Sequence, residues 1–237
     1  MANARAYPGN TTVSQSKAAR TSFLPPAYFF FEDYRLWRER LSWGAFRLTE
    51  CYRGRLPRRL LLIPLYALRG EELREFFNRV CSHLRRSLRR TPTWADGHLM
   101  LASAEARLVE IALEPDARGL KVVELEAEAF LMLQVSAAER REIGIAHTLL
   151  AWVRHARGEF AEALTTFELV LALPGKSSPQ GRERAVISEA AASVALALGM
   201  NERALMLLTS IPPEFRTPDV VGLIQRVAGQ NSATFLQ

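Results

Sequence analysis

Lysine is nearly missing from this chain. Only Lys17, Lys121 and Lys176 occur among 31 basic residues, so arginine is the default cation. Cysteine is as scarce: Cys51 and Cys81 are the two thiols, which rules out the disulfide framework of a small secreted domain. That scarcity favours a reducing compartment, the cytoplasm or the mitochondrial matrix. Long hydrophobic runs are also absent. The longest, "LLLIPLYAL" at 60–68, is about half of what a bilayer crossing needs and is interrupted by Pro64, so no transmembrane segment is expected. No Asn-Gly or Asp-Gly lies between alternating apolar runs, and the valines and isoleucines sit in alanine- and leucine-rich stretches, which excludes a strand-based fold.

Chemistry-bearing motifs are missing too. Cys81, His83, His147 and His155 show neither paired Cys-x-x-Cys nor His-Glu-x-x-His spacing, so no metal site is expected. "PGKSS" at 174–178 ends like a phosphate-binding loop, but the signature needs a glycine where Val170 stands and a strand where the pattern is helical. No Gly-x-Ser-x-Gly elbow occurs. The expectation is a protein without catalytic residues or cofactor.

What remains is a chain of 237 residues, about half of them apolar, ample for a sizeable core. Its charge is unevenly placed: residues 1–92 balance at +11 and residues 93–237 at −5, which makes up the net +6. An acidic partner for the first part follows, whether nucleic acid, an acidic protein face or anionic lipid; with RNA as that partner, the chain would be a subunit of a ribonucleoprotein or organellar ribosome that contacts RNA through its basic N-terminal half. An arginine-rich composition with no partner behind it gives the same numbers.

Residues 1–32 read as an extended arm. Its first 22 residues carry no acid, and "FLPPAYFFF" follows, with Phe29, Phe30 and Phe31 offered for docking. Residues 33–91 read as a basic helical region containing "YRGRLPRR" and "LRRSLRR". Arg58, Arg59, Arg85, Arg86, Arg89 and Arg90 are its candidate contacts for phosphates or carboxylates. In "GEELREFFNRVCSHLRRSLRR" the acids come early and the arginines late, as the helix dipole prefers, which explains the same arginines without any partner.

From residue 92 onward the chain reads as helices at 95–113, 120–134, 138–157, 160–173, 182–198, 202–211 and 220–228, separated by turn signals. In "HARGEFAEALTTFELVLALP", small residues and aromatics recur at set intervals. Leu150 and Ala151 fall where two helices would cross, Gly158 makes the turn and Phe160 covers it. Ala163 then faces the crossing, while Phe167 and Val170 face the next unit. This segment resembles the tetratricopeptide repeat (TPR), a helical hairpin with small residues at its crossing. A second copy carries Gly199, Ala204, Leu208 and Ile211. A third, divergent copy begins at "PTWADGHLMLASAEAR", with Leu101 and Ala102 at the crossing, a turn lengthened by "EPDARG" and no clear alanine in its second helix.

The resemblance implies an all-α solenoid of stacked antiparallel hairpins over 92–237, closed by a capping helix. It implies a non-catalytic scaffold or accessory subunit with other protein subunits as partners. In the subclass that clamps a terminal carboxylate, basic residues and asparagines line the inner wall; here the matching positions are Leu99, Ser103, Thr148, Trp152, Glu189 and Ser193, so that ligand is not expected. Trp152 is either an apolar anchor for a partner or a packed core residue.

Overall fold

The computed structural model describes residues 70–112, 116–133 and 141–234. Within them the fold is all-α, with no strand. The helices are α1 Gly70–Arg90, α2 Ala95–Ile111, α3 Ala117–Leu133, α4 Arg141–Arg157, α5 Phe160–Ala172, α6 Gly181–Ala197, α7 Asn201–Thr209 and α8 Pro218–Thr234. Short 3-10 turns, Gly175–Ser177 and Pro213–Phe215, join α5 to α6 and α7 to α8. Each helix packs mainly on the one before and the one after it, and α2 also reaches α4 across the intervening helix. Contacts between sequence neighbours, with a smaller set one hairpin on, are the packing signature of a solenoid. The arm, the aromatic run and the arginines at 58 and 59 lie outside the described residues.

Two hairpins turn in the same way for the same reason. At the end of α4, Gly158 N–H donates to His155 O at 3.0 Å and Glu159 N–H to Arg154 O at 2.9 Å. At the end of α6, Gly199 N–H donates to Leu196 O at 3.0 Å and Met200 N–H to Ala195 O at 2.9 Å. This paired arrangement satisfies the orphan carbonyls of a helix end, and it needs a left-handed residue at the turn. Gly158 and Gly199 supply it with φ of 81° and 74°. The end of α2 is different: Ala112 is extended, with φ −64° and ψ 139°, so the chain cannot reverse at once and a longer connection follows.

Helix starts are set by side chains where the backbone leaves donors unpaired. Asp116 accepts the Arg118 N–H at 2.9 Å and caps α3. Thr217 accepts the Val220 N–H at 3.2 Å ahead of Pro218, the first residue of α8.

The core forms two clusters that meet at α4. Leu149, Leu150, Trp152 and Val153 belong to the first, with Phe77, Leu84 and Phe130, whereas Ala151 belongs to the second, with Ala163, Phe167 and Leu208. A helix whose faces serve two clusters has almost no solvent side, and α4 is buried continuously from Thr148 to Val153. Burying one phenylalanine such as Phe167 contributes about 2–3 kcal/mol.

The first hairpin corrects the sequence reading. Its second helix begins at Ala117 rather than 120, so Gly119 lies inside α3 instead of in the loop. It faces Val109 of α2 so closely that an added Cβ would lie 2.5 Å from Val109 Cγ2. Gly119, Leu120 and Val123 therefore take the places that Ala163, Leu164 and Phe167 hold in the second hairpin, all of them buried. The small residue at the crossing is present, as glycine rather than alanine.

Candidate interaction surface

α1 shows why its two faces differ. Phe76, Phe77, Val80, Cys81, Leu84 and Leu88 repeat at helical spacing and are buried. Arg74, Asn78, Arg85 and Arg89 follow one another at four, seven and four residues on another face and are exposed.

Between these faces, Arg85 meets Glu105 of α2 in an ion pair. The Glu105 side chain is only 7% exposed. A carboxylate at that depth needs more than one partner, and the Cys81 thiol adds a hydrogen bond to it. Burial, and then the Glu105 charge, push the Cys81 thiol well above its ordinary range, so Cys81 stays protonated and donates. The three side chains tie α1 to α2, and they make Cys81 a core thiol rather than a nucleophile.

Beside this tie a cleft of about 420 Å³ opens between α1, α2 and the start of α3. Its polar rim is Arg74, Asn78 and Arg85 on one side and Arg118 and Asp116 on the other. Leu108, Val109, Ala112 and Val122 form an apolar wall. Arg74 is held by Glu71, with Nε and Nη2 donating at 3.1 and 2.7 Å. The Arg118 guanidinium and the Asn78 amide have no side-chain partner among the described residues.

Arg86, Arg89 and Arg90 are exposed, again without an ion pair among the described residues, and only Arg85 of the four is drawn into the core contacts. Trp152 is 7% exposed and packed in the first cluster, so it is not an exposed anchor. Leu101, Ala102, Leu150, Ala151, Ala163, Phe167, Ala204 and Leu208 are all buried, and Phe160 is half-buried against the His155 ring at 5.7 Å between centroids.

The positions matched to the inner wall of carboxylate-binding repeats do not form a clamp. Leu99, Ser103 and Thr148 are buried, like Trp152. The hydroxyls turn back onto their own helices: Ser103 donates to Leu99 O at 2.9 Å, Thr148 to Gly144 O at 2.7 Å and Ser193 to Glu189 O at 3.0 Å. Burial, with the Asp219 charge, raises the Glu189 carboxyl above its usual range. Burial, with Arg154 nearby, lowers the His147 imidazole, which is therefore neutral at pH 7. Among the described residues no group of three metal-ligating side chains forms, and no helix is long and apolar enough to cross a membrane.

Several ties were invisible in the sequence because they join distant positions. Arg157, at the end of α4, donates to both oxygens of Glu124 on α3 at 2.9 and 3.1 Å, and Lys121 reaches the same carboxylate at 2.7 Å. Arg203 on α7 donates to Glu168 on α5 at 2.5 Å. Arg141 and Glu183 join the starts of α4 and α6 at 3.2 Å. His98 bridges Glu126 of α3 at 2.6 Å and the Pro92 carbonyl at 2.8 Å. Glu105, Arg74, Asn78 and Arg118 were missed likewise. The one sequence signal for Glu105 was a charged residue inside the otherwise small and apolar "LMLASAEA".

No family model matches the chain, and no curated protein matches it. Among solved structures it is similar to a thermophilic TPR protein of Thermus thermophilus. The identity is 18% and the TM-score 0.48, over 86% of this chain and 96% of that one. The fold assignment rests on this chain's own helices and their packing.

Proposed function

We propose that the chain is a non-catalytic scaffold or accessory subunit that holds other protein subunits in a larger assembly. The supporting observation is the stack itself: successive hairpins spend their apolar faces on one another and leave extended outer surfaces, the arrangement that repeat proteins use for binding. Among the described residues, the groups whose protonation burial shifts away from the charged form, Cys81, His147 and Glu189, lie on α1, α4 and α6, and no hydrogen bond joins any two of them. A catalytic centre needs such groups within hydrogen-bond reach of one another.

A second reading has its own observation. Arg86, Arg89 and Arg90 stand exposed and unpaired among the described residues, as a surface for an RNA backbone would require. Affinity purification of the tagged chain from its native cell, at low and high salt and with or without nuclease, tests both. Protein partners that survive high salt and nuclease support the scaffold. Partners lost to nuclease favour RNA contact, and a chain recovered without a partner in every condition overturns both.

A further inference from the structure

We infer that the cleft between α1, α2 and the start of α3 is the docking site for an acidic peptide segment of a protein partner, one that carries an apolar side chain beside its carboxylates. The inference rests on the scaffold reading and names the chemistry of what is held.

The cleft, at about 420 Å³, has the size of a ligand pocket and takes one or two side chains with the backbone between them. Its two acids are already engaged: Glu105 by Arg85 and Cys81, and Asp116 as the cap of α3. The Arg118 guanidinium and the Asn78 amide are not, and they stand on opposite rims. Arg74 is bound to Glu71, but both side chains are more than half exposed, 54% and 74%, and such a pair exchanges readily for a better carboxylate. The rim therefore offers donors for an anion and few acceptors for a cation.

The wall decides which anion. Leu108, Val109, Ala112 and Val122 present an apolar surface that a free phosphate would leave unused and that a peptide's apolar side chain would cover. A nucleic-acid backbone fits poorly, because Arg118 is the one unengaged guanidinium of the lining and gives a repeating phosphate chain a single partner, while the apolar wall gives it none. One unengaged guanidinium, one amide and one exchangeable arginine beside an apolar wall, with the local acids internally paired, match a short acidic-apolar segment.

The test uses the full chain and a library of labelled peptides of about ten residues, each with Asp or Glu flanking one Leu, Ile or Phe, read by fluorescence anisotropy. Oligouridylate RNA and inorganic phosphate are the competing probes. Arg118→Gln is expected to weaken the best peptide about tenfold, as loss of a charged hydrogen bond does. Ala112→Phe, which fills the cleft from a position just past the end of α2, is expected to weaken it as much. Arg90→Gln, outside the cleft, is expected to leave it unchanged. Equal loss on Arg90→Gln, preference for the RNA or phosphate, or no binding by any library member overturns the inference. In the native-cell purification, an Arg118→Gln chain that keeps every salt-resistant protein partner leaves the scaffold reading standing and overturns the cleft. A wild-type chain with no protein partner overturns the scaffold reading itself.

Discussion

Gly119 and Val109 meet at a distance that leaves no room for a methyl group: a Cβ on Gly119 would sit 2.5 Å from Val109 Cγ2. Val109 is buried and branched at its own Cβ, so it has little freedom to retreat.

Gly119→Ala is therefore expected to destabilise by about 1 kcal/mol, the clash outweighing a helix-propensity gain of similar size. Gly222, inside α8, is the comparison. A Cβ there meets nothing within 4 Å, so Gly222→Ala should stabilise by about 0.5–1 kcal/mol. Thermal unfolding of both variants gives opposite signs if the first hairpin crosses where described; equal signs would remove the close approach.

Ala163 is fully buried where α5 crosses α4. Replacing it with leucine overpacks the crossing at an expected cost of about 1–3 kcal/mol, read as a lower denaturant midpoint with unchanged slope. No loss would mean that α5 does not cross α4 at this residue.

These two positions show what the sequence could and could not say. Ala163 is legible because a glycine turn, an aromatic and an alanine stand in one short stretch, and local spacing fixes which face a helical residue occupies. Gly119 reads as loop because "EPDARG" is rich in turn formers, and only the tertiary approach of Val109 reveals that it is helical and required. The cleft is not legible at all. Its rim comes from α1 and α3 and its floor from α2, and nothing in the spacing of Asn78, Glu105 and Arg118 sets them side by side. Trp152 shows the converse: local spacing leaves it either packed or exposed, and burial in α4 decides for packing.

The four arginines at the end of α1 should separate by role. Arg85→Gln leaves the buried Glu105 without its cation and is expected to lower stability by about 1–2 kcal/mol, moderated because Arg85 itself is half exposed. Arg86, Arg89 and Arg90 changed together to glutamine should cost less, about 0.5 kcal/mol from the helix-dipole share of Arg89 and Arg90 in the last turn of α1, since none of the three has an ion pair or side-chain hydrogen bond among the described residues. Similar losses in both variants would show that Arg85 is not a core tie.

Glu124 and Glu189 should respond to acid in opposite directions. The Arg157 guanidinium, with help from Lys121, holds the Glu124 carboxyl at about 2, below its ordinary 4.5. The folded state gives up that proton more easily than the unfolded chain, so the pair's stabilisation is full above pH 4.5 and is lost as pH falls toward 2. Arg157→Gln should cost about 1 kcal/mol at pH 7 and flatten the acid limb of the stability curve. For Glu189 the folded carboxyl is raised, by burial first and Asp219 second, so its charge opposes folding at pH 7 and the penalty falls as pH drops through its folded value. Glu189→Gln should therefore raise the melting temperature at pH 7 and gain little at about pH 4. Asp219→Asn should do less, because Asp219 lies in the first turn of α8, where the helix dipole favours its charge. Melting curves at the two pH values decide it: a Glu189→Gln chain less stable at pH 7 than the wild type would mean that this half-buried carboxylate has a counter-charge and does not oppose folding.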